Sequence, residues 1–188
     1  MAIREVLSLE NDNFNSSFFD PDTVRGLLTL FNLYNQGSGW LIISNLVRII
    51  GDMTVVSGLD RSMQVFFEHN GLDKLNHIIL CNDKQLATWC LWAASNIACE
   101  SEDFAQKIVE NDLFNTVASK LEQSNSFEIK KEAIIVVGNV LTTISPQLLE
   151  PLLDHYQSLL TSYMQGCTMI SDVKVINNIL DTIEYFGQ

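Results

Sequence analysis

Two side chains, Trp92 and Asn96, have polar and aromatic binding chemistry within residues 85–99. As a helix this stretch is apolar nearly all the way round, which predicts that it lies in the middle of the protein. Trp92 and Asn96 stand four residues apart, a spacing that stacks both side chains on one face of a helix. An indole ring holds the aliphatic stem and the charge of Lys or Arg, and a carboxamide both donates to and accepts from a peptide backbone. Asn139 follows Asn96 by 43 residues, and Asp52 precedes it by 44. This recurrence predicts a helical repeat protein in which these side chains occupy equivalent positions.

A purely structural explanation of these residues stays open. Trp92 could be a core residue, as helical Trp residues usually are, and Trp89 is predicted to be core. Asn96 and Asn139 could bond only to neighbouring helices, although Asn inside a long apolar helix is unfavourable enough to need a reason.

The charged candidates have equally ordinary explanations. Glu132 belongs to a Lys-Lys-Glu run, which is typical of a solvated helix face. Arg48 and Asp52 are four residues apart, a spacing typical of an intrahelical ion pair worth about 0.2–0.5 kcal/mol when exposed.

The helices that would position these residues recur with a period of about 41–46 residues. Apolar periodicity predicts long helices over 40–56, 83–100 and 127–143, and shorter ones over 21–34, 59–69, 72–80, 103–110, 113–121 and 151–165. Asp20-Pro21 and Ser145-Pro146 are typical helix starts, and Gly166 is predicted to break the chain before a last helix over 172–186. No alternating strand pattern competes with these helices.

This period predicts an all-α, armadillo-type right-handed superhelical α-solenoid of about four three-helix units. The units would span residues 20–58, 59–101, 102–143 and 144–188. Residues 1–19 would form an N-terminal extension with a short helix over 2–9 and a polar loop over 11–17.

Composition narrows the classes of function. The formal net charge of −12 and the pI near 4.4 argue against nucleic-acid binding and favour a basic partner. No apolar run approaches the roughly 20 residues of a membrane helix, so we expect no membrane partner and a cytoplasmic or nuclear location. The four Cys residues form no Cys-x-x-Cys pair, and no catalytic motif occurs, so we predict a non-enzyme without metal or cofactor.

The long third helices resemble those of the importin-alpha family. Residues 92–98 read WAASNIA, like the family's Trp-Ala-x-x-Asn step, and residues 47–53 read VRIIGDM, like its Leu-Arg-x-x-Gly-Asn-Ile version. Residues 130–139 read KKEAIIVVGN and are similar to Lys-Lys-Glu-Ala-x-Trp-x-x-x-Asn. Together with residues 172–183, these three motifs follow the order of the C-terminal half of the family's array. The resemblance covers residues 21–187.

The resemblance implies that third helices line a concave groove for an extended, basic nuclear localisation signal. The matching positions are Trp92, Asn96, Asn139, Glu132, Asp52 and Arg48. The sequence departs from the family at Ile135, where the family has a second Trp, and at Tyr185, which stands at the next Asn position.

The first half of the family's array has no counterpart in this sequence. The basic arm that binds importin-beta has none either, because residues 1–20 contain one Arg and no Lys. We therefore expect neither importin-beta binding nor a complete import adaptor. Two hypotheses follow: a domain that binds a basic extended peptide, or a diverged armadillo scaffold that is a subunit of a larger assembly or a dimer.

Overall fold

A computed structural model describes residues 19–36, 39–54, 60–81, 83–155 and 158–168, together with positions 177 and 180. The predicted segments over 2–9 and 11–17, most of the predicted helix over 172–186, and Tyr185 lie outside these residues. The described residues form ten α-helices: α1 Pro21–Thr29, α2 Trp40–Met53, α3 Asp60–Glu68, α4 Gly71–Leu80, α5 Lys84–Glu100, α6 Glu102–Val109, α7 Asp112–Gln123, α8 Phe127–Thr143, α9 Pro146–His155 and α10 Leu159–Thr168. A 3₁₀ helix, Leu30–Gln36, follows α1.

Side-chain caps fix where several helices begin. The Asp20 carboxylate accepts the main-chain N–H groups of Asp22 and Thr23, and Pro21 is the first helical residue, which confirms the predicted start of α1. The Thr23 hydroxyl also donates to this carboxylate and, with these N–H groups, lowers the pKa of Asp20. Asp83 caps α5 and Ser101 caps α6 in the same way.

The predicted helix over 21–34 is wrong in its second half. The Thr29 hydroxyl donates to the Gly26 carbonyl at 2.7 Å, and the Leu30 N–H bonds to the Leu27 carbonyl three residues back. The side chain therefore takes the acceptor that the next α-helical bond would need, and the backbone tightens into a 3₁₀ helix.

The predicted boundaries at Pro151 and Gly166 are also wrong. Pro151 lies inside α9 and is exposed to solvent, so water can satisfy the carbonyl that loses its helical N–H partner. Gly166 lies inside α10, where an added Cβ would be 2.7 Å from Cδ1 of Ile134. The glycine allows α10 to pack closely on α8 rather than ending the helix.

The turn between α3 and α4 depends on two different residues. Asn70 adopts a left-handed backbone conformation with φ of 57°. Gly71 begins α4, and an added Cβ there would lie 2.3 Å from the ring of Phe66. Asn70 therefore makes the turn, and Gly71 is needed for close packing.

The long helices α2, α5 and α8 lie side by side, and α5 packs extensively against both neighbours. The second helices α4 and α7 also pack together, as do α7 and α10. Nine of the 17 residues of α5 are buried, which confirms the prediction that it lies in the middle of the protein. In the part of the chain that the structure describes, no helix has the length and apolarity needed to cross a membrane.

Candidate functional site

All six predicted binding residues lie on the three long helices and are half-buried. We call the solvent-facing side of α2, α5 and α8 the third-helix surface. Helix α2 contributes Arg48 and Asp52, α5 contributes Trp92 and Asn96, and α8 contributes Glu132 and Asn139.

Two Asn side chains bridge successive third helices in the same register. The Nδ2 of Asn96 donates to the Gly51 carbonyl of α2 at 3.0 Å. The Nδ2 of Asn139 donates to the Ser95 carbonyl of α5 at 2.8 Å. Gly51 immediately precedes Asp52 in α2, and Ser95 immediately precedes Asn96 in α5. The two carboxamides therefore link neighbouring helices, and each of these bonds uses one of the two N–H donors of the amide.

The Gly51 carbonyl receives a second donor. It belongs to the last turn of α2, and the residue whose N–H would make the next helical bond to it, at position 55, lies outside the described residues. The buried hydroxyl of Thr54 donates to it at 2.8 Å, in addition to Asn96. A neighbouring helix thus helps to complete the C-terminus of α2.

The Trp92 indole lies against the backbone of the preceding third helix. A Cβ added to Gly51 would lie 2.2 Å from Cζ3 of this ring. The ring packs against the hydrophobic core with part of its surface exposed. Trp92 is therefore a structural contact and a solvent-accessible aromatic surface at once.

Helices α2 and α5 carry an indole cluster that was not predicted from the sequence. The Trp40 and Trp89 ring centroids are 6.0 Å apart, and the Arg48 guanidinium carbon is 5.5 Å from the Trp89 centroid. The Trp40 Nε1–H donates to Asp83 at 2.6 Å. Trp89, predicted to be core, is half-buried. The spacing of 43 residues between Trp40 and Asp83 lies within the repeat period of about 41–46 residues, and this was the signal in the sequence that could have revealed their contact.

Helix α8 presents a mixed polar and aliphatic edge. Ile135 is half-buried at the position that matches Trp92, so the surface is aliphatic where the second indole of the family would stand. Glu128 is exposed near the start of this helix. Its own backbone N–H and then the Ser126 hydroxyl lower the pKa of its carboxylate.

The formal charge of the three third helices is zero. They carry four basic residues, Arg48, Lys84, Lys130 and Lys131, and four acidic residues, Asp52, Glu100, Glu128 and Glu132. The net charge of −12 of the chain therefore comes from the other helices, the loops and the termini. Across the described ranges, no cluster of three His, Cys, Asp or Glu side chains is arranged to hold a metal ion.

Several solved structures have the same fold. A designed armadillo repeat protein in complex with the peptide (KR)4 is 17% identical with a TM-score of 0.64, over 95% of this chain and 78% of that chain. Computationally designed armadillo repeat proteins for modular peptide recognition are 17% identical with a TM-score of 0.65, over 96% and 79%. An engineered protein is 15% identical with a TM-score of 0.68, over 97% and 77%.

These similarities establish the class of fold. The chain is an all-α armadillo-type α-solenoid, as the sequence predicts. No protein-family model matches the sequence, and no curated protein is significantly similar to it. The resemblance to importin-alpha stays a prediction from sequence motifs.

Proposed function

We propose that this chain binds an extended segment of another protein, rich in Lys or Arg, along the third-helix surface, as an importin-alpha-like domain that recognises nuclear localisation signals. The observation that carries the proposal is the common register of Asn96 and Asn139 on adjacent helices, with Trp92 one turn before the first of them. A designed armadillo protein of the same fold binds a peptide of alternating Lys and Arg.

Each element of the row has a separate role in this proposal. The exposed part of the Trp92 ring packs against the aliphatic stem of a Lys or Arg. The carboxamide of Asn96, already held in place by its bond to the Gly51 carbonyl, pairs with the peptide backbone. Asp52 and Glu132 supply carboxylates for the cationic heads.

The charge distribution predicts how binding responds to salt. Because the third helices are neutral as a group, long-range attraction comes from the acidic remainder of the chain, and salt screens that attraction. Short-range contacts to the indole and the carboxamides are screened less. Specific binding should therefore weaken moderately, and persist, between low and physiological salt.

The test is a titration of the full chain against fluorescently labelled (KR)4 peptide, followed by anisotropy at about 0.05 M and 0.15 M salt. The matched variants are Trp92→Ala and, on the exposed end of α4, Leu80→Ala, whose side chain is 61% exposed. We expect Trp92→Ala to weaken binding about tenfold and Leu80→Ala to leave it unchanged. Binding that is equally weak in all three proteins and disappears at the higher salt would overturn the proposal.

A permanent structural subunit is the second candidate function. Large apolar side chains are exposed at the starts of α2 and α8, with Leu41 at 66% and Phe127 at 54%. Such residues favour burial against a partner. Size-exclusion chromatography of native extract distinguishes the two, because a permanent subunit does not elute alone at its chain mass of 21.2 kDa.

A further inference from the structure

An apolar groove lies away from the third-helix surface, between α6, the start of α7, and α9. Its volume is about 340 Å³. The apolar lining consists of Val109, Ile144, Leu148, Pro151 and Leu152. Polar side chains at its edge include Gln106 and Glu110, whose side chains hydrogen bond to each other at 2.7 Å.

The groove is lined by aliphatic side chains, whereas the neighbouring junction carries an aromatic pair. Between α3 and α6, the rings of Phe67 and Phe104 meet with centroids 5.0 Å apart. Phe67 is the eighth residue of α3 and Phe104 the third of α6. The eighth residue of α6 is Val109 and the third of α9 is Leu148. Val109 and Leu148 are smaller than these rings. A groove of about 270 Å³ also lies beside Phe67, and the groove between α6 and α9 is larger and has more apolar side chains in its lining.

Acidic residues outnumber basic ones on the segments that contain α6 and α9, and one of them, Glu110, lines the groove. Residues 102–112 and 146–155 contain six acidic residues, Glu102, Asp103, Glu110, Asp112, Glu150 and Asp154. They contain one Lys or Arg, Lys107, which pairs with Asp103 at 2.9 Å and points to the Phe67 ring. The charge complementary to this region is therefore positive.

The backbone around the groove is helical, so its main-chain groups are largely paired within the helices. An extended peptide would therefore bury N–H and C=O groups with few main-chain partners, at considerable cost. A helical ligand satisfies its own backbone and presents apolar residues three and four apart.

We propose that this groove binds an amphipathic helix of a partner protein, with large apolar residues on one face and Lys or Arg beside them. The apolar residues occupy the space between Val109 and Leu148, and the basic residues face the acidic side chains of α6 and α9. This interface is separate from the third-helix surface and does not depend on it.

The probe is a synthetic 18-residue peptide of Leu and Lys with all Leu residues on one helical face. A peptide of the same composition with the Leu residues dispersed is the control, and both are titrated into the full chain by calorimetry. The matched variant is Val109→Phe with Leu148→Phe, which fills the groove with two larger side chains that line it. We expect the amphipathic peptide to bind at least about tenfold more tightly than its control, and the double variant to lose at least about tenfold in affinity.

Two further variants keep the proposal falsifiable if the aromatic pair disturbs the fold. Glu150→Gln with Asp154→Asn should weaken binding several-fold and reduce its salt dependence. Trp92→Ala should leave binding unchanged, which separates this interface from the proposed peptide surface. Equal affinity for both peptides, or for wild type and the aromatic double variant, would overturn the proposal. A concentration-dependent dimer that the aromatic pair abolishes would overturn it in favour of a second copy of the chain.

Discussion

The shared carbonyl of Gly51 predicts a non-additive effect of two substitutions that lie on different helices. Asn96 and Thr54 both donate to this oxygen, at 3.0 and 2.8 Å. Removing one donor leaves the other in place. Removing both leaves a carbonyl at the end of α2 without these partners, and an unsatisfied buried acceptor costs about 1–3 kcal/mol.

The single substitutions should each have a small effect on the free energy of unfolding. Asn96→Ala loses a hydrogen bond worth about 1 kcal/mol but gains about 0.5 kcal/mol of helix propensity, so the net loss is about 0.5 kcal/mol. Thr54→Val keeps the shape of the buried side chain, which is 3% exposed, and loses the hydroxyl at a cost of about 1 kcal/mol.

The double variant should therefore lose about 1–2 kcal/mol more than the sum of the single variants. Urea denaturation followed by circular dichroism measures the three variants and the wild type under identical conditions. The control cycle pairs Thr54→Val with Asn139→Ala, because Asn139 donates to the carbonyl of Ser95, in the interior of α5, where the helical N–H partner is retained. The control cycle should be additive within about 0.5 kcal/mol. If the Asn96 cycle is additive within the same limit, the shared carbonyl does not couple the two helices.

Three further predictions concern packing, backbone conformation and thiol chemistry. In urea denaturation, Gly26→Ala should stabilise the fold by up to about 1 kcal/mol, because nothing lies within 4 Å of the added Cβ. Gly51→Ala should destabilise the fold by about 1–3 kcal/mol, because its Cβ would lie 2.2 Å from an atom of the Trp92 indole. If both substitutions changed stability in the same direction, this difference in packing would be contradicted. Asn70→Ala should cost about 1 kcal/mol in thermal unfolding while Asn70→Gly stays near neutral, because φ is 57°; equal melting temperatures would exclude a left-handed residue there. Burial raises the pKa of the Cys99 thiol and raises that of Cys90 further, so the stability of the fold is retained below the ordinary thiol pKa of 9.0 and falls as the pH rises above it. Mass spectrometry should show that iodoacetamide modifies Cys99 faster at pH about 9.5 than at pH about 7.5, and modifies Cys90 only after unfolding. Rapid labelling of Cys90 in the folded chain would be inconsistent with its burial.

Local features of the sequence determined much of the fold. The boundaries of α5 and α8 follow from apolar periodicity, and the start of α1 follows from Asp20-Pro21. These signals depend on residues within a few positions of each other, so they need no knowledge of the partner helix. The repeat period follows in turn, because each unit uses the same local signals in the same order.

Tertiary structure decided which of these signals prevailed. Pro151 and Gly166 are helix breakers by propensity, yet both lie inside helices. Solvent exposure of the first and close packing of the second against Ile134 outweigh their intrinsic preferences. Propensities of about 1–3 kcal/mol are small enough for such contacts to override.

The candidate site shows the same division. The sequence alone placed Trp92, Asn96 and Asn139 at equivalent positions on successive helices. It did not determine that Asn96 would reach the carbonyl of Gly51, or that the Trp92 ring would lie on that glycine. Those contacts depend on the relative shift and rotation of adjacent helices, which are set by packing between residues more than 40 positions apart. Local periodicity therefore determined which residues share a face, and only the packed solenoid determined what each of them touches.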